Sequence, residues 1–231
     1  MVRRTKAEAL ATRNALLDAA EQLFQARGVS RTSLNDIAVA AGTTRGAIYW
    51  HFKDKADLFN AMMERVTLPM EDTLFCGAQR AASLPAADDT TVALHTLRQA
   101  ILDALEKTAT DPQVRRVFEV ATHKVEYVEE MQAVRERHLQ VRNTCVAVNA
   151  LALRQASHAQ EKRLPVPLQT AALGLHVIVD GLIQSWLLDT RAFDLVASGR
   201  QIIDTYLAGL GIRMNDAPAP RRRAPAPETA A

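Results

Sequence analysis

The strongest constraint on the fold is the stretch from Ser33 to Lys55, which predicts two short helices joined at a glycine. Ser33 and Asp36 form a Ser-x-x-acid box, whose side chains satisfy free amides at a helix N-terminus. Apolar residues then recur at three- and four-residue spacing, so this helix has one narrow apolar face. Gly42 ends the helix, because glycine adopts the left-handed conformation without a Cβ clash. Two helices with so short a connection must cross steeply, as in a helix-turn-helix.

The second helix carries donors of the kind that contact double-stranded DNA. Ile48 and Phe52 fall on its buried side, while Arg45 and Tyr49 share the opposite face. Arg45 offers a planar fork suited to guanine O6 and N7. The alternative is a helical hairpin whose basic face is only solvated. The glycine hinge, the caps, the small residues and the hydrogen-bond donors together favour DNA binding. The residues assigned to DNA contact are Ser33, Thr43, Thr44, Arg45, Gly46, Ala47, Tyr49, Trp50, His51 and Lys55.

Caps frame this helix and the one that follows it. Thr43 or Thr44 can cap the second helix, and Asp54 can cap the next. Lys55 then lies in the first turn of that next helix, beside amides that attract phosphate. The donors expected to hold phosphates are Tyr49, His51 and Lys55.

These residues resemble the DNA-binding signature of a known family. The segments Arg-Thr-Ser-Leu-Asn-Asp-Ile-Ala at 31–38 and Ala-Gly-Thr-Thr-Arg-Gly-Ala-Ile-Tyr-Trp-His-Phe-Lys-Asp-Lys-Ala-Asp-Leu-Phe at 41–59 are similar to that of the TetR family of bacterial repressors. The opening Met-Val-Arg-Arg-Thr-Lys strengthens the resemblance to the branch of AcrR and TtgR type, which represses multidrug efflux pumps. The match covers roughly residues 1–60, about a quarter of the chain. Beyond it the similarity is mostly one of architecture, with short matches within 179–188.

The resemblance implies an all-α homodimer that represses transcription from a palindromic double-stranded operator and is released by a hydrophobic small-molecule effector. It implies a three-helix DNA-binding domain at 1–55 and a helical effector-binding and dimerisation domain at 56–211. The Pro/Arg-rich composition of 212–231 predicts a disordered tail. The apolar segment of about 169–210 is expected to form the dimer interface as a four-helix bundle. Its expected anchors are Trp186, Leu187 and Leu188.

One polar residue stands out in the implied effector domain. Asp180 lies in an apolar run, where an unpaired charge is costly. The matching Asp of the TtgR-like branch lines the drug pocket, so the resemblance makes Asp180 the polar anchor. Gln184 and His176 lie four residues to either side, on the same helix face. For His176 and Thr122, a hydrogen-bonded core residue is an equally good interpretation. The implied pocket residues are Thr122, His123, Cys145, His176, Asp180 and Gln184.

Helical periodicity runs through the remaining chain. A linking helix is expected to start near residue 55 and to kink or end at Pro69. Residues 81–89 are predicted to form a loop. A long helix is expected from about Val125 to Gln160, ended by the prolines that follow. The other expected helices are 8–27, one ending near Thr110, 112–122, 169–188 and 195–210.

Composition limits the classes of protein. The chain has 231 residues, 48% of them hydrophobic, and a net charge of only +2. Residues 1–60 carry nine Lys or Arg against six Asp or Glu, so the basic balance lies at the end assigned to DNA. No secretory signal and no apolar run near the roughly 18 residues of a bilayer span are found. A cytoplasmic protein without a membrane partner is expected.

Catalytic and metal chemistry find no support in the sequence. The six histidines include no pair at helical metal-ligand spacing, and no nucleophile elbow or phosphate loop occurs. We therefore expect no metal, no cofactor and no enzyme activity. Cys76 and Cys145 are interpreted as buried thiols, with a redox switch as the alternative. The other function considered is a small-molecule hydrolase with a fused DNA-binding module.

Overall fold

The computed structural model describes residues 5–67 and 92–213, and within these ranges every regular element is a helix. The expected kink at Pro69, Cys76, the loop at 81–89 and almost all of the expected tail lie outside the described residues. A single 3₁₀ turn, Glu129–Met131, precedes α7. The helices are α1 (Lys6–Arg27), α2 (Leu34–Ala40), α3 (Arg45–His51), α4 (55–67 as described), α5 (Val92–Thr110), α6 (Pro112–His123), α7 (Gln132–Ala159), α8 (Leu168–Leu188) and α9 (Leu195–Gly209).

The caps of the N-terminal hairpin follow the sequence expectation. Ser33 and Asp36 form a complete capping box at α2. Gly42 has φ +65°, the left-handed conformation that a glycine C-terminal stop requires. Thr44 rather than Thr43 caps α3, accepting a hydrogen bond from the amide of Ala47 at 3.2 Å. The local sequence therefore decides where α2 ends and α3 begins.

The long helix expected from Val125 begins instead at Gln132. Residues 125–128 are not helical, and the 3₁₀ turn separates them from α7. The physical reason lies outside the segment, because the Lys124 carbonyl accepts a hydrogen bond from the amide of Val29 at 3.0 Å. This contact ties the residue after α6 to the turn after α1, so the chain leaves α6 on a path set by tertiary packing.

Two hydrophobic cores hold the described residues together. The first joins α1–α4 to α6 and the start of α7, and its members include Phe24, Ile48, Phe59 and Val117. The second joins α5, the C-terminal half of α7, α8 and α9. The core of the N-terminal helices thus continues past residue 55 into α4, α6 and α7.

A buried carboxylate links the N-terminal helices to α6. Glu21 on α1 is only 2% exposed. Its oxygens accept a bond from Arg65 of α4 and one from Gln113 of α6 at 3.1 Å, and Arg116 of α6 lies 3.5 Å away. Arg65 also pairs with Asp18 at 2.8 Å. Charged groups on three helices thus meet at one buried point, where each needs the others to offset the loss of water.

Helix α8 is more apolar than expected, since the sequence predicted no apolar run near the length of a bilayer span. Its mean hydropathy over 18 residues is 1.5, so by length and composition it could cross a bilayer, and the expectation that no segment approaches this limit is wrong. Polar residues such as His176 and Asp180 interrupt the run but do not lower the average enough. The same composition occurs in core helices of proteins outside membranes, and α8 packs against α7 and α9.

Glu21→Ala should destabilise the protein by about 3–5 kcal/mol, because it removes the buried carboxylate that the partly buried Arg65 and Arg116 share. Asp18→Ala is the matched control, since Asp18 pairs with the same Arg65 but its side chain is 58% exposed. Its loss should cost less than about 1 kcal/mol. Urea unfolding followed by circular dichroism measures both, and equal losses in the two variants would contradict the role of Glu21.

Candidate functional site

The exposed face of α3 carries the side chains that the sequence assigned to DNA. Arg45 and Tyr49 lie together, with the guanidinium carbon 5.7 Å from the ring centroid. Trp50 is 72% exposed and meets the His51 ring edge to face at 4.6 Å between centroids. Gly46 is exposed beside Arg45, and a Cβ built there would meet only the Thr44 hydroxyl within 4 Å, at 3.9 Å, so a groove wall can approach the backbone. Ser33 is the N-cap of α2, Thr44 is the N-cap of α3, Thr43 precedes it, and Ala47 lies in the first turn of α3.

The opposite face of α3 fixes its orientation. Ile48 is fully buried and Phe52 is 2% exposed, both within the first core. The Arg13 guanidinium of α1 covers the Phe52 ring, 5.1 Å from its centroid. A short helix held this way presents Arg45 and Tyr49 on a rigid support, which directional contacts to base edges require.

Lys55 has a different position from the one expected of it. Its side chain is 9% exposed, and its ammonium donates to the carbonyls of Val29 and Thr32, each at 3.3 Å. Glu130 lies 3.4 Å from the same nitrogen. Two carbonyls and a carboxylate thus offset the cost of removing this charge from water. The phosphate contact expected of Lys55 is therefore corrected, because its donors are directed inward by residues distant in sequence.

A cavity of about 540 Å³ lies between α4, α6, α7 and α8, and we call it the central cavity. Four of the residues that the sequence assigned to an effector border it: Thr122, His176, Asp180 and Gln184. The other two do not. Cys145 and His176 border a smaller apolar cavity of about 80 Å³, whereas His123 borders a separate cavity of about 240 Å³ beside the α1–α2 turn. His176 therefore lies between the central cavity and the small one.

Two pairs of polar side chains that border the central cavity are in hydrogen-bonding contact. Gln184 donates to Asp180 Oδ2 at 2.6 Å, and the Tyr127 hydroxyl lies 2.5 Å from His138 Nδ1. Asp180 is exposed although it borders the central cavity, so the expectation of a buried carboxylate in this apolar run is wrong. Nevertheless, its charge acts on the cavity, since burial and then Asp180 raise the pKa of Tyr127.

Burial favours the neutral form of both imidazoles that border the central cavity. Burial lowers the pKa of His138, Arg137 lowers it further, and Asp180 opposes the shift. Burial also lowers the pKa of His176, with opposite contributions from Asp180 and Arg142. A neutral imidazole has one donor and one acceptor nitrogen, so these groups suit an uncharged polar ligand atom.

Sequence reasoning missed Tyr127 and His138. They are 11 residues apart, and one continuous helix would hold them roughly 16 Å apart along its axis at about 1.5 Å per residue. Only the break before α7 lets Tyr127 fold back onto His138. Asn60, Met63 and Thr67 of α4 were also missed as cavity residues, since nothing local shows which neighbour a linking helix meets.

Helices α8 and α9 expose a row of apolar side chains. Val177 is 56% exposed, Leu188 75%, Leu173 45% and Ile202 42%. Trp186, expected as an anchor on this face, is instead 5% exposed within the second core. The Arg115 guanidinium of α6 covers its ring, 5.2 Å from the centroid, which accounts for its inward position.

The described residues contain no group of three or more His, Cys, Asp or Glu side chains that could hold a metal ion. The cavity chemistry consists of hydrogen-bonding groups, guanidinium groups and apolar walls. Such a lining can orient a ligand of mixed polar and apolar character.

Known proteins resemble the chain along most of its length. The repressor BepR of Brucella suis biovar 1 (strain 1330) is 39% identical over 90% of this chain and 96% of its own length. The regulator TtgR of Pseudomonas putida is 36% identical over 90% of this chain and 95% of its own. These relatives are transcriptional regulators, and the resemblance extends well beyond the N-terminal hairpin.

Solved structures agree with this. NalD, the secondary repressor of the MexAB-OprM multidrug efflux pump in Pseudomonas aeruginosa, has a TM-score of 0.76 at 33% identity, covering 90% of this chain and 99% of NalD. A SmeT–triclosan complex has a TM-score of 0.74 at 29% identity, covering 91% and 98%. Residues 16–62 match bacterial regulatory proteins of the tetR family, and residues 93–212 match the C-terminal region of MAATS-type transcriptional repressors. With both parts matched in order, the chain belongs to the TetR family of bacterial regulatory proteins.

Proposed function

We propose that the protein is a cytoplasmic, homodimeric transcriptional repressor of a multidrug efflux operon, released from DNA by a hydrophobic small molecule. The observation that carries the proposal is that α4, which directly follows the α3 hairpin, forms one wall of the central cavity. A ligand in this cavity therefore touches a helix attached to the DNA-reading element. The proposed hydrolase alternative has no support among the relatives, which are repressors and regulators.

The DNA half of the proposal rests on the face of α3. Arg45 is exposed at the start of the helix and can donate two parallel hydrogen bonds to a guanine edge. Tyr49, Trp50 and His51 follow on or beside this face, where phosphates and sugars pass in a major-groove complex. A two-fold dimer places two such helices in successive grooves, so the operator should be palindromic.

The effector half rests on the central cavity. Its volume of about 540 Å³ lies within the usual range of roughly 300–1,000 Å³ for small-molecule sites. Phe118 and Leu139 offer apolar wall, while Tyr127, His138 and Asp180 offer hydrogen bonds. The related SmeT binds triclosan, a chlorinated phenol, which makes this compound a suitable first probe.

Contacts between α4 and α7 suggest how a ligand in the central cavity would change DNA binding. Asn60 donates to the Ala133 carbonyl at 3.4 Å, and Arg137 lies 3.7 Å from Glu64. A ligand that wedges between these helices favours an arrangement in which the two copies of α3 no longer match the groove spacing. It releases DNA only to the extent that it binds that arrangement more tightly.

Arg45→Ala should weaken binding to an operator, selected by the wild-type protein from random duplexes, by about 1–3 kcal/mol and should relax base preference. Arg191→Ala is the matched control, because it removes the same charge from a 92% exposed site after α8. Fluorescence anisotropy titrations at fixed salt measure both. Unchanged affinity and selectivity in Arg45→Ala would show that Arg45 does not read bases.

Asp180→Ala should raise the triclosan concentration needed for operator release while leaving operator affinity intact. The reason is the loss of the acceptor that holds Gln184 and polarises Tyr127 at the cavity. Asp189→Ala, which removes an exposed carboxylate at the end of α8, should behave like the wild type. Calorimetry and parallel gel shifts provide the readout, and identical triclosan affinities in all three proteins would exclude Asp180 from the site.

Val177→Asp should convert the dimer into a folded monomer of 25.4 kDa, because a carboxylate in the apolar α8–α9 face loses its hydration on association. Val39→Asp places the same charge at a 70% exposed valine of α2 and should leave the dimer intact. Sedimentation equilibrium at micromolar concentration distinguishes them. A wild-type protein that sediments as a monomer would rule out this interface.

A further inference from the structure

The connection between α6 and α7, residues 124–131, contacts the N-terminal helices at both of its ends. At its start, the Lys124 carbonyl accepts the hydrogen bond from the amide of Val29. Near its end, Glu130 pairs with Lys55 at 3.4 Å. These contacts join residues that are about 75 to 95 positions apart in sequence, so they report tertiary arrangement rather than local folding.

The same connection forms part of the central cavity. Val125 and Tyr127 border the cavity, and the Tyr127 hydroxyl contacts His138 on α7. Met131, the last residue of the connection, is 2% exposed and belongs to the first core. The connection therefore borders the cavity through Val125 and Tyr127 and contacts the N-terminal segment through Lys124 and Glu130.

Lys55 is the point at which these contacts converge. It is the first residue of α4, and its ammonium holds two carbonyls of the α1–α2 turn, those of Val29 and Thr32. Thr32 directly precedes Ser33, the N-cap of α2. A displacement of Glu130 would therefore shift both the first residue of α4 and the turn that leads into α2.

We propose that residues 124–131 transmit effector occupancy to the DNA-reading helices, with Lys55 and Glu130 as the positioning pair that couples the two. The inference rests on the proposed function, in which a ligand occupies the central cavity. A ligand that displaces Tyr127 or Val125 moves the connection, and the ion pair passes that movement to the α1–α2 turn. The competing route runs through α4 alone, whose Asn60, Met63 and Thr67 also border the cavity.

Glu130 is the residue with which to test this. Its side chain is 58% exposed, so its removal costs little stability, and Lys55 keeps its two carbonyl partners. Glu130 lies neither on the exposed face of α3 nor on the wall of the central cavity. Glu129→Gln is the matched control, since it removes the same charge from the neighbouring exposed position of the same turn.

The experiment compares full-length wild type, Glu130→Gln and Glu129→Gln. Triclosan affinity is measured with and without saturating operator, and the ratio of the two dissociation constants is the coupling between the sites. We expect operator affinity and triclosan affinity of the free protein to stay within about twofold in all three. The coupling ratio should fall at least fivefold in Glu130→Gln and remain unchanged in Glu129→Gln. Equal ratios in the three proteins would overturn the inference in favour of α4 alone.

A second measurement does not depend on the ligand. Because coupling is reciprocal, operator binding should slow amide hydrogen exchange in residues 124–131 of the wild type and Glu129→Gln. In Glu130→Gln this protection should be lost while the protein still binds operator. The same protection in all three proteins, or its absence from the wild type, would contradict the inference. A wild type that binds operator but ignores triclosan would count against the proposed effector, and hydrogen exchange would then decide the route separately.

Discussion

The buried carboxylate of Glu21 is the interaction on which the packing of α1 and α4 against α6 depends. It is placed on α1, yet its partners Arg65, Gln113 and Arg116 come from α4 and α6. Desolvated charges tolerate little displacement, because each loses its compensation when the others move away. The cluster therefore ties α1 and α4 to α6 at one buried carboxylate, and α6 borders the central cavity.

Helix α6 contacts three neighbours because each of its faces carries different side chains. Arg116 and Glu119 face the N-terminal helices, where Glu119 accepts a hydrogen bond from Gln25 at 2.8 Å. Thr122 borders the central cavity, and Arg115 covers the Trp186 ring on α8. A single helix of 12 residues thus touches α1 of the N-terminal domain, the central cavity and α8. Any rotation of α6 changes all three contacts together, which is the property expected of a coupling element.

The sequence alone determined the hairpin and its caps, because these depend on neighbours within a few residues. Ser33 with Asp36, Gly42 and Thr44 each satisfy a local backbone requirement, and the structure has them as expected. The family signature lies in the same stretch. Periodicity also placed α5, α6, α8 and α9 within a few residues of their observed bounds.

Only the tertiary structure decided where the polar side chains point. The inward turn of Lys55, the burial of Trp186 and the pairing of Tyr127 with His138 each depend on a partner that another segment supplies. The break before α7 has the same origin, since the amide of Val29 takes the Lys124 carbonyl. A sequence pattern shows which side chains can donate, accept or pack. Which partner each one meets is set by helix packing, and that depends on the whole chain at once.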